Sequence, residues 1–242
     1  MVVNSHEKLA QGLFKLHDLV SDTKDQLHSK RFVEGKDLDR WLPCRYKWLE
    51  WASERAPALF RRPTFPELYE ADEKLLILRI AGKKIRVCYD HAQTLSNHTV
   101  IVCLSWHNLS DVKNNSLKKA ARYIYEKPSS ANLPKREELE KISRSFAVKF
   151  LMAIMNSSIA FEFLQSVRKS NTDLYPDDWK KLPIPKATPE QQKPIIELVD
   201  KILTIKYNNK TADVSKLEAE IDDKVAHLYG LTDKEMKIIR EE

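Results

Sequence analysis

The chain has 242 residues, 42% hydrophobic and 31% charged, with a net charge of +6 and only three cysteines. That length supports an apolar core of one large or two small domains. No run approaches 18 apolar residues, so no membrane span is expected, and VVNSHEKLA lacks the basic start and apolar block of a signal peptide.

The charge is unevenly distributed. Residues 51–150 hold 18 Lys and Arg against 11 Asp and Glu, while the rest holds 23 against 24. A positive excess confined to one segment implies a basic face rather than a general solubility device. Cys44, Cys88 and Cys103 form no CxxC or metal-ligand spacing, and an odd, sparse set suits a reducing cytoplasm, the expected location.

In chain order, VVN reads as a strand directly after Met1, as expected if the chain was cut from something longer. An amphipathic helix should follow, with Leu9, Leu13, Leu16 and Val20 at helical spacing. Gly35 lies in a turn context, and Trp41, Trp48 and Trp51 read as core rather than as a stacking platform. KLLILRI (74–80) and KIRVCYD (84–90) flank a hairpin turn at Gly82, and TVIVCLSW (99–106) supplies a third strand. Cys88 and Cys103 should pack there as small apolar groups. Residues 107–136 are polar, basic and turn-rich, as an exposed segment would be.

Helices dominate from 137. Leu139, Ile142, Phe146, Phe150 and Ala153 mark one buried helix stripe. Pro183 and Pro185 force LPIP to run extended. Thr188-Pro189-Glu190-Gln191 then spells a capping box opening a helix to about Tyr207, with a kink at Pro194. Ser215 with Glu218 reads as another capping box, Gly230 as a helix terminator, and Thr232 with Glu235 as a last cap stapled by Leu231 and Met236. The expected fold class is α+β (or α/β), with a small mixed sheet in residues 65–106 and a helical C-terminal half. The expected division is 1–135 and 136–242, packed as one unit.

Catalytic signatures are sparse. Asp177 and Asp178 fit a metal-dependent nuclease pattern only by force, because consecutive acids in extended chain project to opposite faces. Gly12, Gly35, Gly82 and Gly230 make no GxG, so no phosphate-cradling loop is expected, and GxSxG and HExxH are absent. His91, His98 and His107 are seven and nine residues apart, which fits no common zinc pattern.

One ordered set of motifs carries a resemblance: GKDLDRW (35–41), REELEKIS (136–143), IMNSSIAFEFL (154–164), YPDDWKKLPIP (175–185), ATPEQQ (187–192) and IDDKVAHLYGLTDKE (221–235). Together they resemble the C-terminal target-recognition, or specificity, domain of TaqI-like adenine methyltransferases and their fused type IIG restriction–modification relatives. The resemblance covers nearly the whole chain and is diffuse between 42 and 130, where different targets require different side chains.

The family's NPPY and FxGxG motifs, which hold the target adenine and S-adenosylmethionine, are not in this sequence. The resemblance therefore implies a double-stranded DNA recognition module that is no enzyme by itself. It has no cofactor of its own; S-adenosylmethionine, with Mg where the parent cleaves, belongs to the parent's methyltransferase and nuclease domains. Its basic side chains would grip phosphates and a few others would read base edges. The candidates are Arg61, Arg62, Lys83, Lys84, Gln93, Asn97, His98, Lys113, Asn114, Asn115, Lys118 and Lys119. The terminal helices would form a spacer. Half of a type I specificity subunit is the alternative, predicting a tandem repeat that the sequence lacks; a nuclease fragment using Asp177 and Asp178 is the second.

Overall fold

The computed structural model describes residues 2–4, 16–54, 56, 66–80, 82, 84–113, 123–124, 127–128 and 134–239. Its centre is an antiparallel sheet of four strands: β1 (Val2–Asn4), β5 (Lys74–Leu78), β6 (Val87–Asp90) and β8 (Val100–Leu104), in the order β1-β8-β5-β6. The hairpin read from the sequence pairs as expected, with Leu75 opposite Tyr89 and Ile77 opposite Val87. Apolar runs form these strands because both sheet faces are covered.

Alternate residues go to opposite sides, as the two-residue period of a strand requires. Leu75, Ile77, Val87, Ile101 and Cys103 face a core completed by the C-terminal helices. Leu76, Cys88, Val100, Val102 and Leu104 face a second core with Phe32, Leu49, Leu68 and Trp106. Cys88 and Cys103 are thus buried, unbridged and on opposite faces of one sheet.

A second sheet, ordered β2-β4-β3-β7, joins β2 (Val20–Ser21), β3 (His28–Val33), β4 (Lys47–Glu50) and β7 (Leu95–Ser96). It is mixed, since β7 runs parallel to β3. The helix expected across residues 1–30 is corrected here: Leu16–Leu19 is a single 3-10 turn and Val20 pairs with Leu49. Strand pairing claims the β-branched Val20 despite its helical spacing. Leu9 and Leu13 lie outside the described residues. A two-stranded ladder pairs β9 (Tyr123–Ile124) with β10 (Lys127–Pro128), and α1 is the single turn Glu67–Glu70.

The helical half opens with α2 (Arg136–Ser143), α3 (Val148–Asn156) and α4 (Ser158–Val167). The single helix expected from the 139–153 stripe is therefore divided, and Ile142 is exposed. The break within the stripe falls between Ser143 and Val148, and a second follows at Ser157. Its hydroxyl accepts from Ala160 N (3.1 Å) and donates to Ile154 O (2.7 Å), ending α3 and starting α4 at a bend of 66°. No single described helix is long and apolar enough to cross a membrane.

Next come α5 (Pro176–Trp179), α6 (Pro189–Asn208), α7 (Ser215–Tyr229) and α8 (Asp233–Ile239). Thr188 and Gln191 make the expected reciprocal cap of α6, which continues through Pro194 without interruption. Gly230 adopts φ +71°, and Leu231 N–H donates to Ala226 O (3.0 Å), closing α7 as a left-handed cap. Thr232 and Glu235 cap α8 as read, with Met236 buried. Ser215 and Glu218 do not form a capping box. Val214 takes the cap position, and the Glu218 carboxylate instead accepts from Trp41 Nε1 (2.6 Å) and Arg40 Nη1 (3.1 Å).

Candidate nucleic-acid interface

The turn after β3 brings the two sheets together. Gly35 N–H donates to Thr99 Oγ1 (2.7 Å), and a Cβ at Gly35 would lie 2.7 Å from Leu78 Cδ1. A side chain there would push Leu78 and Thr99 aside, so glycine suits the approach. Beside this contact opens a groove of about 790 Å³, whose polar walls are Glu34, Lys36, Asp39, Arg40, Lys84, Arg86, Asn97 and Thr99. A second recess of about 480 Å³ shares Glu34 and Lys36 and adds Asp22, Arg45 and Lys47. Six Lys and Arg side chains and several carboxylates thus line two recesses that share Glu34 and Lys36, a charge pattern able to meet a polyanion.

These cations differ in availability. Arg40 is fixed by Glu218, by Asn156 O (2.6 Å) and by stacking 5.6 Å over Trp41, while Arg86 donates to Leu38 O (3.2 Å). Lys47 and Lys36 both reach Glu34 Oε2, at 2.7 and 3.0 Å, and Arg45 holds the buried Asp37 at 2.5 Å. Lys84 is exposed and forms no ion pair among the described residues. Burial works against the Glu34 charge, but Lys47 and Lys36 outweigh it and hold the carboxyl below its ordinary range.

Of the candidate residues, the structure brings Lys84 and Asn97 into this groove. Asn97 Nδ2 donates to Glu34 Oε1 (3.1 Å), and its Oδ1 accepts from Thr99 N and Oγ1. Gln93, His98 and Lys113 are exposed but do not line it. Gln93 has φ +54° and donates through Nε2 to Glu70 O (2.8 Å), while the backbone carbonyl of His98 accepts from Arg79. Arg61, Arg62, Lys83, Asn114, Asn115, Lys118 and Lys119 lie outside the described residues.

Sequence reasoning missed Lys36, Arg40, Arg45 and Lys47, because they precede the segment with the positive excess. The count per segment misled for a physical reason. Lys74 is fully buried against Asp90, at 2.5 Å, and Arg136 is buried with its guanidinium on the carbonyls of Leu109, Ser110 and Val112. Both belong to the basic segment, and both serve the interior. The signal for Lys36 and Arg40 was GKDLDRW, a glycine beside paired charges; Arg45 and Lys47 carry none.

The other reactive-looking groups are employed structurally. Asp177 and Asp178 are not in extended chain but in one turn of helix, α5. Asp178 is buried, caps Tyr175 N–H (3.0 Å) and pairs with Lys181 (3.2 Å); Asp177 pairs with Lys180. His91 stacks on Tyr89, and His107 bonds Ser143, with burial and then Arg144 depressing its pKa. Among the described residues no three His, Cys, Asp or Glu side chains gather to hold a cation. Trp41 is core as expected, whereas Trp51 is only partly buried against the second core and Trp48 partly buried beneath Lys24 (5.1 Å) and Arg31 (5.8 Å).

No family model matches the chain, and no curated protein does. Among solved structures it is similar to MmeI, a type IIL restriction–modification enzyme in complex with DNA, with a TM-score of 0.55 and 13% identity. The match covers 96% of this chain and 33% of that one, so the chain spans about a third of that enzyme's length. At this identity the likeness is one of fold. The chain has the fold of part of a restriction–modification enzyme.

Proposed function

We propose that this chain is the sequence-reading module of a TaqI-like, type IIG-related adenine methyltransferase or restriction–modification enzyme, working in the cytoplasm on double-stranded DNA. The observation that carries the reading is the shared fold, along 96% of the chain, with a portion of an enzyme solved in complex with DNA. The motif set and the groove between the two sheets support it. In this proposal, methylation and any cleavage reside in catalytic domains outside these residues, where S-adenosylmethionine and any Mg bind.

Lys36, Lys84 and Arg45 would contact phosphates, which supply affinity that falls steeply with salt. Asn97 lines the groove, and its amide would suit adenine N6 and N7 once released from Glu34 and Thr99. Gln93, His98 and Lys113 would widen the face beyond the groove. The test is selection from a random duplex library at two salt concentrations. Enrichment of one sequence, with total binding falling as salt rises, supports the proposal. Equal, weak binding of every duplex would defeat it.

A further inference from the structure

Glu34 is an odd residue for a surface meant to meet phosphates. It follows β3, and its side chain lines both recesses at their shared seam. One carboxylate oxygen holds Lys47 and Lys36, and the other accepts from Asn97. The two lysines are unequal. Lys47 is 12% exposed and has a second carboxylate, Asp37, at 3.8 Å, whereas Lys36 is 63% exposed. A phosphate can reach Lys36, and to bind there it must take the ammonium from Glu34 or lie beside a negative charge.

We infer that Glu34 is a built-in counter-charge that competes with DNA phosphates for Lys36 and so suppresses binding to duplexes of the wrong sequence. This rests on the reading of the groove as a DNA interface. Non-specific binding is almost wholly electrostatic, so a carboxylate inside the basic concavity weakens it directly. A duplex of the right sequence offsets that repulsion through base-edge contacts, and other duplexes have nothing to offset it. Both affinities fall together, so duplexes of the wrong sequence, which start weakest, are the first to drop below the working concentration. Specificity of this kind comes from a repulsive element as well as an attractive one.

Glu34→Gln is the discriminating variant, because the amide oxygen still accepts from Asn97 while the charge is gone. Binding to a random-sequence duplex is measured against salt for wild type, Glu34→Gln, Glu34→Ala and Glu34→Gln/Lys36→Ala. One freed lysine should steepen the slope of log K against log salt by about 0.9 and tighten random-duplex binding about tenfold near 0.1 M. Glu34→Ala should tighten it similarly, and the double variant should return to the wild-type value. If wild type binds duplex and neither Glu34 variant tightens it, the inference is wrong while the interface stands. If wild type binds no duplex even at low salt, both are wrong.

Discussion

Replacing Asp90 with asparagine strands a charge in the protein interior. Asp90, at the end of β6, sits opposite Lys74 on β5, and both side chains are 0% exposed. Its carboxylate accepts from Lys74 Nζ at 2.5 Å, Thr94 Oγ1 at 2.6 Å and Thr94 N at 3.0 Å. Asparagine can still serve Thr94, but it leaves the ammonium with one neutral partner, Tyr69 O at 2.9 Å. Removing one member of a buried ion pair costs about 3–5 kcal/mol. For a chain of this length that lowers Tm by roughly 6–20 °C.

Lys74→Met/Asp90→Asn removes the stranded charge as well, and should return to within about 2 kcal/mol of wild type. Urea unfolding followed by tryptophan fluorescence measures all four members of the cycle. An Asp90→Asn cost below about 1 kcal/mol would refute the reasoning. So would a double variant no better than Asp90→Asn.

The same pair sets an acid limit. Burial opposes the Asp90 charge, yet Lys74 and Thr94 together hold its pKa below the ordinary 3.8. A depressed carboxyl contributes stability above its unfolded value that is lost as pH falls through the folded one. Wild type should lose stability below about pH 4, more steeply than Lys74→Met/Asp90→Asn in matched denaturant titrations. Asn156 bonds both Val87 N (3.1 Å) and Val87 O (2.8 Å), pinning α3 to β6, so Asn156→Ala should cost about 2–4 kcal/mol in urea unfolding. Gly35→Ala drives a methyl against Leu78 and Thr99, and should lower stability by about 1–3 kcal/mol and weaken duplex binding in a gel shift. Asp177→Asn should shift stability by under about 0.5 kcal/mol, and Asp178→Asn by more, since only Asp178 is buried and caps a helix.

What could be read from the sequence depended on how local its cause was. The caps at Thr188, Thr232 and Gly230 are set by residues within five positions of one another, and all three stand where expected. The strands 74–78, 87–90 and 100–104 announced themselves by apolar, β-branched runs. Where partners are distant, local reading failed. Val20 is claimed by Leu49, and Glu218 by Trp41 across 177 positions. Glu218 carries the same local grammar as a true cap, so only the folded arrangement reveals its partner. The groove behaves likewise: Lys84 at the hairpin tip and Asn97 in the loop 91–98 are local readings, whereas Lys36 joins them through the close approach of Gly35 to Leu78 and Thr99, a contact across more than 40 positions.

In the proposed role, DNA meets the concavity between the sheets. Charge reversal at its two most accessible lysines, Lys36→Glu/Lys84→Glu, tests it against reversal at two exposed lysines of α8, Lys234→Glu/Lys237→Glu. Both variants change net charge equally, so a difference in duplex affinity at fixed salt reports place rather than total charge. The groove pair should lose duplex binding at least tenfold more than the α8 pair, with a random-duplex salt slope shallower by about one contact, that of Lys84, since Glu34 already holds Lys36. Equal losses, or a greater loss from α8, would contradict the account.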